Sequence, residues 1–241
     1  MKDSKNFNQH IDNKVSSISE HTSKLERIDR RYFSQQVQQI FNVDRGFLYT
    51  TKEFLIRPGK SIQEFLFENR DKHVKPIAFL IFTSIIISLI SYFLNIEYSY
   101  FNVNKIQGLQ DKVSTGDFGE WLNNNIGYTN LIIGIFIALW IRVFVRNYNI
   151  YEIIIMLCFV LGETTLILSL AFVIGDVTNN GFIVLGLMLI FFLYPVWSIG
   201  QFFGKKKLIN YIKSLVVIIL GYMSYLFFLI LIGYFLNILQ N

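Results

Sequence analysis

Glu163 is an acidic residue in the middle of a long apolar stretch, residues 153–174, and its neighbours are Gly162, Thr164 and Thr165. A carboxylate near the centre of a bilayer costs on the order of 3 kcal/mol, so it should face the interior of a helix bundle or be protonated. Intramembrane carboxylates commonly mark proton relays and ion pathways. The sequence therefore predicts an intramembrane polar site formed by Glu163, Thr164 and Thr165.

Three chemical roles fit Glu163. In the first, it is a neutral acid that is hydrogen-bonded to a Tyr, Ser or Thr on a neighbouring span, such as Tyr222, Ser224 or Tyr225 on the last apolar stretch. In the second, it is the proton- or cation-coupled site of a transporter or channel. In the third, it pairs with Arg142 or contacts a polar lipid group, although Arg142 is better placed to extend towards the membrane surface.

The residues that usually carry catalysis do not converge in this sequence. The three histidines, His10, His21 and His73, are scattered, and metalloprotease, nucleotide-binding and serine-nucleophile motifs are absent. Cys158 is the only cysteine, which excludes an internal disulfide and a cysteine-based zinc site. We therefore expect a protein that is not an enzyme and that binds no cofactor and no metal.

The stretch around Glu163 is one of five apolar stretches, each near the length that a membrane span requires. Hydrophobic residues make up 53% of the 241 residues and charged residues only 16%, compared with about 25% in soluble domains. The sequence predicts an all-α membrane protein whose transmembrane domain, residues 77–241, has five helices. They lie near residues 77–96, 130–145, 153–174, 181–203 and 214–238.

Basic residues alternate between the segments that connect these stretches. Every lysine and arginine except Lys105 and Lys112 falls in segments that five spans would place on one side of the membrane. Because cytoplasmic segments retain Lys and Arg, we expect the N-terminus to be cytoplasmic and the C-terminus extracytoplasmic. The net charge of +5 is then an orientation signal, and membrane lipids rather than nucleic acid are the expected partners.

Two regions precede the first span. Residues 1–31 are polar with mixed charges, a composition that predicts a mobile N-terminal tail. Residues 32–76 predict three short amphipathic helices, whose apolar faces pack on the bundle or lie in the membrane interface. Asp44 is the predicted N-cap of the second helix, and Ser61 with Glu64 has the capping-box spacing that predicts the start of the third.

A basic surface, which we call the basic collar, is predicted beside the first span. It comprises Arg45, Lys52, Arg57, Lys60, Arg70, Lys72 and Lys75. We expect the collar to bind anionic lipid headgroups or an acidic protein partner. Alternatively, it is an orientation signal whose charges pair with Asp44, Glu53, Glu64 and Asp71. In the same region, Gly46 is expected to allow the close approach of another backbone or of a lipid phosphate.

Part of this region resembles a known family. The runs FNVDRGFLYT at 41–50 and RPGKSI at 57–62, followed by Lys75-Pro76 at the first span, resemble an uncharacterised bacterial family known only as a domain of unknown function. Family members have this block before several hydrophobic helices, and many carry an N-terminal zinc ribbon, which a chain with Cys158 alone cannot form. The five-span layout is also similar to that of Yip-type membrane proteins.

The sequence thus indicates an integral protein of a bacterial cytoplasmic membrane with no enzymatic activity. The favoured function is a scaffold or a module that interacts with lipids or with a protein partner through its cytoplasmic helices. The alternative is a small proton- or ion-coupled transporter or channel that uses Glu163. Gly200 and Gly204 have the spacing that allows close helix contact, either within one chain or in a homo-oligomer.

Overall fold

The computed structural model describes residues 46–95, 122, 125–178 and 180–240. In these ranges the chain forms seven main helices and no strand, which confirms the all-α prediction for the described residues. The helices are α1 Phe47–Ile56, α2 Pro58–Phe67, α3 Pro76–Phe93, α4 Ile126–Phe144, α5 Ile150–Thr178, α6 Gly181–Gly204 and α7 Leu208–Gln240. The predicted tail, residues 1–31, and the first of the predicted amphipathic helices lie outside the described residues.

Helices α3 to α7 are each long and apolar enough to cross a membrane, which indicates a multi-pass membrane protein. The second of them, α4, begins at Ile126, four residues before the predicted stretch, because its polar first turn is satisfied inside the bundle. Thr129 donates a hydrogen bond to the carbonyl of Leu122 (2.6 Å), and Asn130 donates to Thr165 (2.9 Å). Apolarity alone therefore underestimates the length of α4.

Helix α5, which carries Glu163, is the centre of the bundle. It packs against α3, α4 and α6, whereas α7 packs against α4 and α6. In its most apolar 18-residue stretch, 83% of the residues are buried, compared with 28% in the corresponding stretches of α6 and α7. An acidic residue on α5 is therefore surrounded by protein rather than by lipid.

The start of α5 is fixed by a reciprocal cap. The side chain of Asn149 accepts a hydrogen bond from the amide of Glu152, and the carboxylate of Glu152 accepts one from the amide of Asn149, both at 2.8 Å. This capping box satisfies two backbone N–H groups that the first turn would leave unpaired. Glu152 is therefore a structural carboxylate at the helix end.

Helices α1 and α2 form a helical hairpin whose turn is at Arg57. Arg57 has φ −144° and ψ 59°, a conformation suited to a residue that precedes proline, and Pro58 occupies the first position of α2. The capping-box prediction for this helix is wrong, because α2 begins three residues before Ser61. Ser61 lies inside the hairpin instead and donates a hydrogen bond to the carbonyl of Glu53 (3.3 Å).

The N-cap prediction for α1 is also wrong. The helix begins at Phe47 with Gly46 at the N-cap, and no side chain caps it. The start of α1 is instead linked to the loop before α3, where the hydroxyl of Thr50 accepts a hydrogen bond from the amide of Val74 (3.0 Å). This tertiary hydrogen bond fixes the first turn of α1 without capping its N–H groups.

The hairpin lies over α5 in a gap between α3 and α6. Phe47 of α1 contacts Phe79 of α3 (ring centroids 5.3 Å apart), and Phe54 stacks on Phe159 of α5 (4.4 Å). Phe79 lies three residues after the start of α3, about 5 Å along the helix axis. The hairpin is therefore set into the side of the bundle rather than attached beyond its end.

Candidate functional site

Glu163 is completely buried in the middle of α5. Its exposed fraction is 0%, and neither carboxyl oxygen has a hydrogen-bond partner among the described residues. Tyr194 of α6 is a titratable side chain near enough for the charge of Glu163 to act on it. A buried polar group without a hydrogen bond is costly and calls for an explanation.

Aromatic rings from the hairpin pack on α5 close to Glu163. Phe159, one helical turn before Glu163, is enclosed by Phe54 and by Phe65, whose ring centroid is 5.0 Å away. The hydroxyl of Tyr194 donates a hydrogen bond to the backbone carbonyl of Phe54 (3.1 Å), which joins α6 to α1. The hairpin therefore lies between this part of α5 and the surface of the bundle.

The two threonines next to Glu163 do not join it in one site. Each donates a hydrogen bond to its own helix, Thr164 to Val160 (2.6 Å) and Thr165 to Leu161 (2.8 Å). Thr165 also accepts the hydrogen bond from Asn130 of α4. Residues two apart on a helix point in opposite directions, so the predicted trio divides between two helix contacts.

The predicted hydrogen bond from Glu163 to the last helix is wrong. Helix α7 packs on α4 and α6 rather than on α5, and Ser224 accepts a hydrogen bond from the indole of Trp140 instead (2.9 Å). Arg142 is also not a partner of Glu163, because it is exposed and donates to the carbonyl of Arg146 (3.2 Å). The order of helices around α5 separates these groups from the carboxyl.

The outward side of α1 is a second feature of interest. Leu48 and Ile56 are 82% and 61% exposed, and Tyr49 and Leu55 are each 42% exposed. Lys52 is exposed on the same side, with the three- and four-residue spacing of one helix face. We call this set, Leu48, Tyr49, Lys52, Leu55 and Ile56, the outward face of α1.

Two residues of the basic collar are neutralised within the hairpin. Arg57 hydrogen-bonds and pairs with Glu53, which raises the pKa of the Arg57 guanidinium, and it also reaches Glu64 at 3.4 Å. Lys60 lies 3.5 Å from the same Glu64 carboxylate. Arg57 and Lys60 therefore fit the alternative in which the charges of the collar form ion pairs with nearby acidic residues.

The other residues of the collar are spread along the loop and α1. Lys52 and Lys72 are exposed and make no ion pair among the described residues, whereas Arg70 turns back to the carbonyl of Leu66 (3.3 Å). Lys75 is partly buried at the start of α3, and Arg45 lies outside the described residues. The described part of the collar is therefore two outward lysines beside an ion-paired turn.

His73, in the loop before α3, was not singled out by its sequence context as part of any site. It is 3% exposed, its ring stacks on Tyr49 (5.5 Å) and contacts Phe54 (5.4 Å), and neither ring nitrogen has a hydrogen bond among the described residues. Burial lowers the pKa of His73 below its ordinary value of 6.5. The negative charges of Glu53 and Glu64 raise this pKa, but their effect is smaller than that of burial. The imidazole is therefore held neutral inside the hairpin.

Gly59, rather than Gly46, is the glycine at a close backbone contact. A Cβ at Gly59 would lie 2.5 Å from the Cβ of Gln201 and 2.6 Å from the amide nitrogen of Phe202, whereas one at Gly46 would meet nothing closer than 3.6 Å. Next to this contact, Gln63 donates a hydrogen bond to the carbonyl of Phe202 (2.8 Å). The hairpin is thus docked directly on the backbone of α6.

Gly200 is also used within the chain. A Cβ there would lie 2.4 Å from the ring of Tyr211 on α7, so the G-x-x-x-G spacing serves the contact between α6 and α7. Gly204, with φ +137°, makes the turn between these helices, a conformation that other residues rarely adopt. The spacing therefore needs no second copy of the chain to explain it.

Two apolar grooves on the bundle surface lie away from Glu163. One, of about 610 Å³, is between α4 and α7 and includes Trp140 and Met223. The other, of about 650 Å³, includes Gly175 and Val184 near the turn between α5 and α6. Among the described residues, no three His, Cys, Asp or Glu side chains gather in a group that could bind a metal ion.

One family model matches the part of the chain that contains the hairpin. A family model described as "Protein of unknown function (DUF3667)" matches residues 44–87, which include both hairpin helices and more than half of α3. The match fits the resemblance of this block to an uncharacterised family and covers less than half of the chain. No curated protein and no solved structure matches the chain.

Proposed function

We propose that this protein is a non-enzymatic integral protein of the bacterial cytoplasmic membrane whose hairpin binds anionic lipids of the cytoplasmic leaflet. The observation that carries the proposal is the outward face of α1, where large apolar side chains and Lys52 are exposed together. In water such a face would be unfavourable, whereas at a membrane surface its apolar side chains enter the acyl region and its lysine reaches the headgroups.

The position of the hairpin supports a membrane location for this face. Phe47 contacts Phe82, six residues into α3, so α1 lies beside the first two turns of a membrane-spanning helix. Lys72, in the loop that leads to α3, is exposed near the start of the same helix. Each lysine near an anionic leaflet contributes about 1 kcal/mol, so Lys52 and Lys72 would favour anionic over zwitterionic lipid.

Transport through Glu163 is the alternative function, and the site supports it less well. A transporter needs a path by which water or an ion reaches the carboxyl, and the exposed fraction of Glu163 is 0%. The similarity to Yip-type proteins stays a hypothesis about layout, and it adds no substrate to either function.

Lipid retention measured on the full-length protein tests the proposal. We expect native mass spectrometry from mixed-lipid nanodiscs to show more bound anionic lipid than zwitterionic lipid. The combined change Lys52→Gln and Lys72→Gln should reduce the preference by up to about thirtyfold, because about 2 kcal/mol of attraction would be lost.

The matched control is Lys105→Gln with Lys112→Gln, which removes the same charge from the segment predicted to lie outside. It should leave the preference unchanged. Equal lipid retention by both double variants would overturn lipid binding by the hairpin and leave a protein partner as the occupant of the outward face of α1.

A further inference from the structure

Glu163 belongs to a site that the lipid-binding role does not use. The carboxyl has no hydrogen-bond donor among the described residues, and an isolated ionised carboxylate in a dry interior is far more costly than the neutral acid. Such a group binds a proton instead of remaining charged. Because Glu163 is completely buried, the helices that enclose it determine whether its carboxyl is protonated.

Among the residues that the structure describes, no basic side chain pairs with Glu163. Helix α3 has no Asp, Glu, Lys, Arg or His, and α6 presents Tyr194, whose nearest hydrogen bond goes to the backbone of Phe54. On the hairpin, Glu53 and Glu64 are paired with Arg57, and His73 lies behind the ring of Phe54. On α4, Arg142 is exposed at the helix end.

The hairpin is a separate element of this enclosure, because its two helices are not among the five spans. Helices α3 and α6 flank the gap above Glu163, and the hairpin fills it with Phe54 and Phe65, which close over Phe159. The hairpin is joined to the spans through one loop, residues 68–75, and is held on α6 by the hydrogen bonds of Gln63 and Tyr194. Lifting it would expose the surroundings of Glu163 to water and headgroups.

We propose that Glu163 is a proton-binding site covered by the hairpin, with the proton bound while the hairpin is seated and released when the hairpin lifts. The proposal does not depend on lipid binding by the outward face of α1. Because proton binding and hairpin seating are linked, each affects the other by the same factor. Above the pKa of Glu163 in the lifted state, the lifted fraction should rise up to tenfold per pH unit.

Cysteine accessibility in the full-length protein reports the lifted state. Ser198 of α6 is 0% exposed and lies one turn from Tyr194 on the side that faces the hairpin, so a Ser198→Cys thiol should react with a maleimide only when the hairpin lifts. The background change Cys158→Ser removes the native thiol. Rates are divided by those of Asp71→Cys, an exposed position, to remove the pH dependence of the thiol reaction itself.

With Glu163 present, the relative labelling rate should rise as the pH is raised, by up to tenfold per unit. With Glu163→Gln, which is neutral at every pH, labelling should stay slow and flat above about pH 7, where His73 is neutral. Infrared difference spectra should show the carbonyl band of a protonated carboxylic acid that is lost in Glu163→Gln. Equal pH profiles for Glu163 and Gln, or an ionised Glu163 in the seated state, would overturn the proposal.

Replacement of sodium by choline at constant pH separates a proton site from a cation site. The labelling rate should not change. A rise in labelling on removal of sodium would overturn the proton assignment, because it would show that a metal cation and not a proton keeps the carboxyl neutral. Glu163→Ala, which opens a cavity, is the variant that shows whether loss of packing alone lifts the hairpin.

Discussion

We expect acid to destabilise the hairpin through His73. Its imidazole is 3% exposed among aromatic rings, and burial lowers its pKa below 6.5. The unfolded chain takes up the proton at a higher pH than the folded one, so the contribution of neutral His73 is fully present above about pH 6.5 and is lost as the pH falls through the folded pKa. We expect the thermal midpoint to drop between pH 7 and pH 5, and His73→Phe to reduce this drop.

The other two histidines provide the control for this effect. His10→Gln with His21→Gln removes two titrating imidazoles from the N-terminal region and should keep the acid sensitivity. If that double variant lost the sensitivity, or if His73→Phe retained it in full, the assignment to His73 would be wrong. The loss should not exceed about 1.4 kcal/mol per pH unit, which corresponds to one proton.

At the level of single residues, the sequence identifies a charged residue within an apolar stretch. It does not identify the residues that surround this charge in the fold. Glu163 stands out because an acid in an apolar stretch is visible in the chain itself. The nearness of Glu163 to Tyr194 and the hydrogen bond from Asn130 to Thr165 each involve two different helices. Periodicity places a residue on a face of its own helix, and only the order of helices around α5 decides which face meets which partner.

Docking of the hairpin on α6 depends on Gly59. An alanine Cβ would lie 2.5 Å from Gln201, against a helix backbone that cannot move aside, so Gly59→Ala should lift the hairpin. The expected cost is about 1–3 kcal/mol, typical of a residue forced into a filled space. Faster labelling of the Ser198→Cys thiol at neutral pH is the measurement.

Gly186→Ala on α6 is the matched control, because nothing lies within 4 Å of its added methyl group. Alanine also favours the helix over glycine, so this variant should leave labelling and stability unchanged or improve stability slightly. Similar labelling in the two variants would show that Gly59 is not a tight contact.

At the level of elements, hydropathy predicts the spans well and the short helices poorly. The five predicted apolar stretches correspond to α3–α7. A helix that spans a membrane is surrounded by an apolar phase along its whole length, so hydropathy detects it. The amphipathic pattern of the hairpin suits a helix that lies on lipid as well as one that packs on protein, so hydropathy does not distinguish the two locations. Its capping prediction failed because Pro58, the first residue of α2, starts the helix earlier than the Ser61 pattern indicates.

For the whole molecule, the distribution of charge predicts the hairpin on the cytoplasmic side. In a Cys158→Ser background, Lys206→Cys in the turn after α6 should be shielded from an impermeant maleimide in intact cells. Asp176→Cys, exposed near the other end of α5, should be labelled. The reverse pattern would contradict the predicted orientation, since Lys and Arg are retained on the cytoplasmic side.

The hydrogen bonds that seat the hairpin impose an order on biosynthesis. Gln63 and Phe202 are separated by 139 residues, and Phe54 and Tyr194 by 140. At synthesis rates of 5–20 residues per second, the hairpin waits roughly 7–28 seconds for α6 to be made. During this delay Phe54, Ile62 and Phe65, fully buried in the finished protein, lack their final partners. The outward face of α1 would hold the nascent hairpin at the bilayer until the ribosome delivers the helix that completes its seat.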